Sequence, residues 1–377
     1  MTKNLRLTSI DFLRGLVMII MALDHVRDFF HYNPLHHDPL DLHTTTPILF
    51  FTRWITHFCA PIFVFLAGTS AYLSGMKKSK KELGKFLLIR GSWLIVMEFA
   101  IINLGWSFNP FYNLLVFQVI WAIGISMIIL GLIVRVDFKI ILSIGLLIVC
   151  CHNLIDYPES THPGSFPFWW DLIHHGGFNR HEFFSGHEFL IIYPFLPWTG
   201  LMILGYCFGK FFEPSIVPSE RNKKILFTGS LMILFFVILR FTNTYGDPHQ
   251  WQSQNNSLYT ILSFIDVEKY PPSLLFVCIT IGPALVFLSL LERIKIHSNF
   301  FVNTIGRVPF FYYIVHIYII HGLSVLIFMN QPNKDEKGFE LLGVYAVWIS
   351  VVTVLYFLCK WYDKYKSTHS NWWLKYI

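Results

Sequence analysis

Charge is what this sequence has least of. Asp, Glu, Lys and Arg make up 14% of its 377 residues, where a soluble domain carries about a quarter. Hydrophobic side chains fill 54% and the mean hydropathy is +0.52. So little charge cannot cover a water-soluble globule, and lipid is the expected solvent. Cysteine is scarce as well. Cys59, Cys150, Cys151, Cys207, Cys278 and Cys359 fall in or beside apolar stretches with no CxxC pair. That argues against a disulfide framework or zinc ribbon and reads them as small core hydrophobes. HExxH is missing too, since His181-Glu182 is followed by no suitably spaced histidine, and no metal is expected. No basic stripe interleaved with aromatics stands outside the apolar stretches. The formal charge of +6 therefore reflects membrane topology and excludes a nucleic-acid partner. A cleavable leader is not expected, because the first apolar stretch carries Asp11, Arg14, Asp24 and His25 and no small-residue cleavage site follows it.

What the sequence does have is a series of apolar runs. A spanning helix needs roughly 20 mostly apolar residues, and lipid leaves backbone polar groups no partner outside a helix or closed barrel. Runs at 11–30, 47–74, 86–106, 111–134, 138–154, 188–209, 225–242, 271–291, 301–328 and 341–359 predict an all-α polytopic bundle. About ten transmembrane helices would form a single domain over residues 1–377. With the N-terminus inside, twenty of the 29 Lys and Arg fall on inside segments, Lys77–Lys85 and Arg221–Lys224 among them. Both termini are then expected in the cytoplasm. The intervals 31–46 and 155–187 fall outside and hold nine of the 17 histidines. A third outside segment, 243–270, ends at Lys269-Tyr270. Long loops of this kind more often cap a cavity than merely connect.

The first run, SIDFLRGLVMIIMALDHVRDFF, carries the most chemistry. Arg14 and His25 are eleven residues apart, three helical turns plus about 20°, so they share one face roughly 16 Å apart along the axis. Asp11 and Asp28 share that stripe. Buried charge costs several kcal/mol per group, so the stripe must face protein or a wet cavity. An ion-pair ladder, Asp11–Arg14 at one boundary and Asp24–Arg27–Asp28 at the other, accounts for the acids. It does not account for His25, whose near-neutral titration suits a base. Glu98, Asn103, Gln118, Arg307, His316 and His321 read singly as helix–helix contacts, with Arg90 or Arg307 as the expected partner of Glu98. His36, His37 and Asp38, or His174 and His175 with His181 and His187, offer metal-type donors without diagnostic spacing.

This first run, followed by FTRWITHFCAPIFVFLAGTSAYLSG, resembles the start of the transmembrane acyltransferases, and most of all bacterial proteins with the heparan-alpha-glucosaminide N-acetyltransferase catalytic domain. The resemblance continues at YPFLPWTGLMILGYCFGK (193–210), KYPPSLLF (269–276) and GRVPFFYYIVHIYIIHG (306–322). Arg14 and His25 also match the Arg-x10-His spacing of the broader membrane acyltransferases. The resemblance implies transfer of an acetyl or other acyl group from cytosolic acetyl-CoA or another acyl-CoA to a sugar, glycan or glycolipid on the far side. It implies a multi-pass protein of the bacterial inner membrane, with a homodimer as its candidate assembly. In the lysosomal enzyme the catalytic histidine follows a polar residue at the end of the span by eleven positions. That places His36, with His37 adjacent, after His25, where the lysosomal enzyme has Asn; heparan sulfate is accordingly doubtful as the acceptor. Catalytic roles are expected for His36, His25, Asp24 and His37, and donor contacts for Arg14, Asp11 and Arg307. Trp169, Trp170 and Trp198 would suit stacking on a sugar. The alternative function is a transporter or exporter of a polar solute or metal ion, lined by the same charged helix.

Overall fold

The computed structural model describes residues 7–32, 38–162, 165–294, 297–298, 300–329 and 338–375. In chain order the helices are α1 Thr8–Phe30, α2 Pro47–Trp54, α3 Cys59–Gly75, α4 Lys80–Met97 and α5 Asn103–Ser107. Strand β1, Leu114–Phe117, precedes α6 Val119–Ile133, α7 Phe138–Cys151, α8 Asp156–Ser160 and α9 Phe168–Ile173. Strands β2 Arg180–Phe184 and β3 His187–Ile191 lead into α10 Phe195–Phe208, α11 Pro218–Thr242, α12 Ser257–Ile265 and α13 Leu274–Leu291. The chain closes with α14 Phe301–Arg307, α15 Pro309–Phe328 and α16 Leu341–Thr368.

Among the described residues, eight helical stretches are long and apolar enough to cross a membrane: Pro47–Gly75, Lys80–Ser107, Phe138–Ser160, Phe195–Phe212, Pro218–Thr242, Leu274–Leu291, Pro309–Phe328 and Leu341–Thr368. The protein is an all-α, integral, multi-pass membrane protein. Two of the expected spans differ in kind: α6 is apolar but 15 residues long, and the 23-residue α1 carries the charged stripe.

Three sequence boundaries are corrected. The runs 111–134 and 188–209 begin as strands, not helix. The Asn109 side chain donates to Asn113 and accepts from the Phe111 amide, and Tyr112 has a left-handed φ of 51°, so the chain turns here and no helix runs into β1. Pro194, the residue before α10, is itself extended, with φ −61° and ψ 135°. The three strands form one sheet in the order β1-β3-β2, parallel between β1 and β3 and antiparallel between β2 and β3. The run 301–328 is broken at Val308, the residue before Pro309, which sits at φ −130°, ψ 52° and ends α14.

The chain divides into two compact units, one holding the described residues up to Cys59 and from Leu290 on, the other Ala60–Ser289. In the first, α1 packs against α14, α15 and α16 through Leu13, Val17, Met18, Ala22, Val26 and Phe30, all buried. Backbones touch where α1 crosses α14. A Cβ on Gly15 would lie 1.9 Å from the Val302 carbonyl oxygen, and one on Gly306 would lie 1.8 Å from that of Asp11. Only glycine fits at either place.

In the second unit α4 packs on α6, and α10 packs on both α6 and α7. Ser126 and Thr199 share a buried hydrogen bond of 2.9 Å, a pairing that suits helices lacking water. Helix α4 starts from a capping box, Ser79 with Glu82, and ends in a π-turn over Glu98–Ile102. There Glu98 accepts a hydrogen bond from the Trp121 amide, in the first turn of α6, at 2.9 Å. The positive end of that helix takes the place expected for Arg90 or Arg307. Asn103 stands in for a strand neighbour of β1: its Nδ2 donates to the Val116 carbonyl at 3.0 Å and its Oδ1 accepts from the Val116 amide at 2.7 Å.

Candidate active site

The site is built on α1, whose 23 residues run unbroken from Thr8 to Phe30. Asp11 in its first turn and Arg27 in its last each complement the helix dipole. Toward the start, Arg14 Nη1 lies 3.2 Å from Asp11 Oδ1 and donates to the Gly306 carbonyl at 3.3 Å. Ser9 Oγ donates to Glu292 at 2.8 Å. Arg307, next to Gly306 at the end of α14, donates from Nε to Asp363 Oδ2 at 2.8 Å, from Nη1 to the Ser298 carbonyl at 2.6 Å, and from Nη2 to Thr304. All three residues expected to meet the acyl donor, Asp11, Arg14 and Arg307, therefore gather at the α1–α14 crossing. Each arginine already holds a carboxylate, which an anionic donor would have to displace.

At the other end a ladder of ions surrounds His25. Arg53, in the last turn of α2, reaches both oxygens of Asp24 at 2.8 and 2.7 Å. Arg27 Nη2 lies 2.8 Å from Asp24 and 2.6 Å from Asp28. Thr56 Oγ1 donates to Asp24 at 2.9 Å. Asp24 is thus held by two guanidinium groups and a hydroxyl, and these fix α1 to α2. Asp28 is the carboxylate nearer the imidazole, with its Oδ2 3.6 Å from His25 Nδ1. His316 of α15, fully buried, brings its ring within 5.2 Å of the His25 ring, centroid to centroid. Its Nδ1 donates to the Tyr312 carbonyl at 3.1 Å, which leaves the lone pair on Nε2, a buried atom with no hydrogen-bond partner among the described residues. His321 lies against Phe29, with centroids 4.8 Å apart. The side chains of His25 and Arg14 keep 15% and 18% of their surface exposed, so neither is sealed between helices. Just past α1, burial and then the nearby Arg27 charge hold the His31 imidazole below its ordinary value.

His36 and His37 lie outside the described residues. Trp198 is fully buried against Tyr193 and belongs to the core, so it cannot stack on a sugar. Trp169 is exposed, and Trp170 Nε1 donates to Glu159 at 2.7 Å. The histidines of 155–187 do not converge on one point: His174 turns to Glu159, His175 and His181 to Asp171, and His187 is half-exposed. Sequence reasoning missed Arg53 and Thr56 as partners of Asp24, Asp363 as the partner of Arg307, and the approach of His316 to His25. A lone arginine in the apolar run 47–74 was the available signal for the first.

These features define a multi-pass membrane protein whose candidate site gathers titratable groups around one helix. Residues 6–240 match the family model described as Heparan-alpha-glucosaminide N-acetyltransferase, catalytic, and the chain belongs to that family. It is an acyltransferase, and the family in general takes its acetyl group from acetyl-CoA. No curated protein matches the chain.

Proposed function

We propose that the chain moves an acetyl or other acyl group from cytosolic acyl-CoA to a hydroxyl or amine of a sugar, glycan or glycolipid on the extracytoplasmic side. His25 acts as the base. Both termini lie in the cytoplasm, following the distribution of Lys and Arg. The observation that carries the reading is the placing of His25. It sits on a membrane helix between the Asp28 carboxylate, 3.6 Å away, and the buried His316 ring, eleven residues along from Arg14.

In the transfer, His25 takes the proton of the acceptor O–H or N–H while that atom attacks the thioester carbonyl. The C–S bond then breaks, and the CoA thiolate leaves and takes up a proton. Asp28 stabilises the imidazolium, and His316 fixes the ring from the other side. Arg14 and Arg307 meet the phosphate-bearing end of the donor with their planar forks. Asp24, bound by Arg27, Arg53 and Thr56, holds the frame. His36 and His37, in the first outside loop, stay in the proposal as the alternative base or acyl carrier, on the family resemblance alone.

The test uses the purified full chain in proteoliposomes, with radiolabelled acetyl-CoA on the Arg14 side and a panel of sugars on the other. His25→Ala is expected to lower acetyl transfer at least 100-fold, the usual worth of a positioned base, while labelled donor still binds. Undiminished transfer by His25→Ala and by the His36→Ala/His37→Ala double variant would remove histidine from the mechanism.

A further inference from the structure

The connection between α7 and α10, inside the second unit, folds as a small polar cap. Its adjacent histidines answer to different carboxylates. His175 Nδ1 donates to Asp171 Oδ1 at 2.8 Å, and His181 Nε2 donates to Asp171 Oδ2 at 2.7 Å. Gly176 and Gly177, at φ of 64° and 63°, turn the chain between them, and a Cβ on Gly177 would strike the His175 ring at 2.5 Å. That system is internally complete.

The His174 side is not. His174 is fully buried, with Nδ1 2.9 Å from Glu159 Oε1 and Nε2 3.1 Å from His152 Nδ1. His152 is itself buried, and its Nε2 has no hydrogen-bond partner among the described residues. Asp156 precedes Glu159 by one turn of α8. One ligand-type atom from each of Asp156, Glu159 and His174 lies within 4.8 Å of the other two.

We propose that Asp156, Glu159 and His174 bind a divalent first-row transition-metal ion of the zinc type. Charge is the first argument. Asp156 and Glu159 bring their carboxylates within 4.8 Å of each other, and among the described residues neither forms an ion pair with a lysine or arginine. His174 is the ionisable side chain bonded to Glu159, and the side chain bonded to Asp156 is the neutral Asn153. A divalent cation neutralises the pair, and burying unbalanced charge is otherwise costly.

Geometry is the second. Ligands at about 2.0–2.2 Å around a tetrahedral ion sit roughly 3.3 Å apart. His174 and Glu159 are already that close, and Asp156 has at most about 1.5 Å to close, within reach of a carboxylate rotation. On Glu159 the ligand atom is Oε1, which faces His174 and also accepts from Trp170, so a lone pair is left for the ion once it replaces the His174 proton; on Asp156, Asn153 bonds Oδ2 and leaves Oδ1.

Orientation is the third. A ligating imidazole characteristically spends its other nitrogen on a fixed partner, and His152 is that partner. Without metal, Nδ1 of His174 donates to Glu159; an ion taking the place of that proton leaves the proton of His174 on Nε2, where His152 Nδ1 accepts it at 3.1 Å. The nitrogen donor selects zinc-like ions over magnesium or calcium, which prefer oxygen alone. The ligands follow D-x2-E-x14-H across a loop, a spacing that matches no familiar metal motif, which is why the sequence alone predicts no metal. No residue proposed for acyl transfer takes part.

The test uses the full chain in detergent without a polyhistidine tag, stripped with EDTA, given Zn2+ and desalted. Metal is counted by mass spectrometry. The wild type is expected to keep about one zinc per chain, to show a higher Tm with Zn2+ than without, and to keep its zinc against a hundredfold excess of Mg2+. The isosteric Asp156→Asn/Glu159→Gln variant is expected to keep less than a tenth as much, and His249→Gln, which alters an exposed histidine, as much as wild type. X-ray absorption of the wild-type zinc complex is expected to show a mixed nitrogen and oxygen shell. Zinc no higher than in empty detergent, equal retention by the double variant, displacement by Mg2+, or a shell containing sulfur would each overturn the assignment.

Discussion

Replacing Gly306 by alanine tests whether the α1–α14 crossing sets the site. The added Cβ would fall 1.8 Å from the Asp11 carbonyl oxygen and 2.8 Å from the Gly15 amide nitrogen. Ordinary contact begins near 3.4 Å, so the helices must part by about 1.5 Å. The opposing atoms are backbone and cannot swing aside. Overpacking of a well-fitted interface costs typically 1–3 kcal/mol, and a backbone clash belongs at the upper end. Separation also breaks the bond from Arg14 to the Gly306 carbonyl and shifts α1, which carries His25. Misplacement of a reacting group by about 1 Å costs on the order of 100-fold in rate. Gly306→Ala is therefore expected to lower the Tm in detergent by several degrees and acetyl transfer by about 100-fold. Gly186→Ala serves as control: Gly186 has φ 76° and nothing within 4 Å of its Cβ position, so the cost is about 1 kcal/mol of backbone strain and activity stays intact. A Gly306→Ala protein with wild-type Tm and activity would refute the reasoning.

Other expectations follow from the same geometry. His316→Gln is expected to lower kcat more than it raises KM for the donor, since the ring faces His25 and not the arginines; a pure KM effect in steady-state kinetics would contradict this. Asp24→Asn leaves Arg27 and Arg53 short of a buried counter-charge and is expected to cost about 3–5 kcal/mol, read from thermal unfolding. The hydrogen bond to Asp171 raises His175 above its ordinary imidazole range. Its contribution to stability is complete below the unfolded value of about 6.5 and is lost as pH rises through the higher folded value. Asp171→Asn is thus expected to lower the Tm more at pH 5.5 than at pH 9, and an equal loss at both would dismiss the pairing.

The helices and the charged stripe were legible because lipid imposes a coarse rule: long apolar runs span, and ionisable residues inside them must face protein. The strands were not. Leu114–Phe117 and His187–Ile191 are apolar enough to be absorbed into neighbouring runs, and what keeps a helix from running through them is local, in Asn109, Asn113, Tyr112 and Pro194. Partners across sequence were hidden for another reason. That Arg53 meets Asp24, 29 residues away, or that Asp363 meets Arg307, depends on how helices pair, which the pattern of one helix does not encode. For Glu98 the expected partner was a side chain, whereas the available positive charge was the start of a helix, a property of backbone that no residue letter carries. The candidate site was half legible: α1 named Arg14 and His25, while His316 looked like one more intramembrane polar residue.

The ladder around His25 has an electrical consequence. Asp24 and Asp28 are matched by Arg27 and Arg53, so the permanent charges of this region sum to zero, and a proton arriving on the imidazole adds a whole unit at a fixed depth. A full membrane crossing by one charge is worth about 2.3 kcal/mol per 100 mV. The turnover of this protein should therefore respond to transmembrane voltage, to the fraction of the field that lies between His25 and the nearer aqueous face.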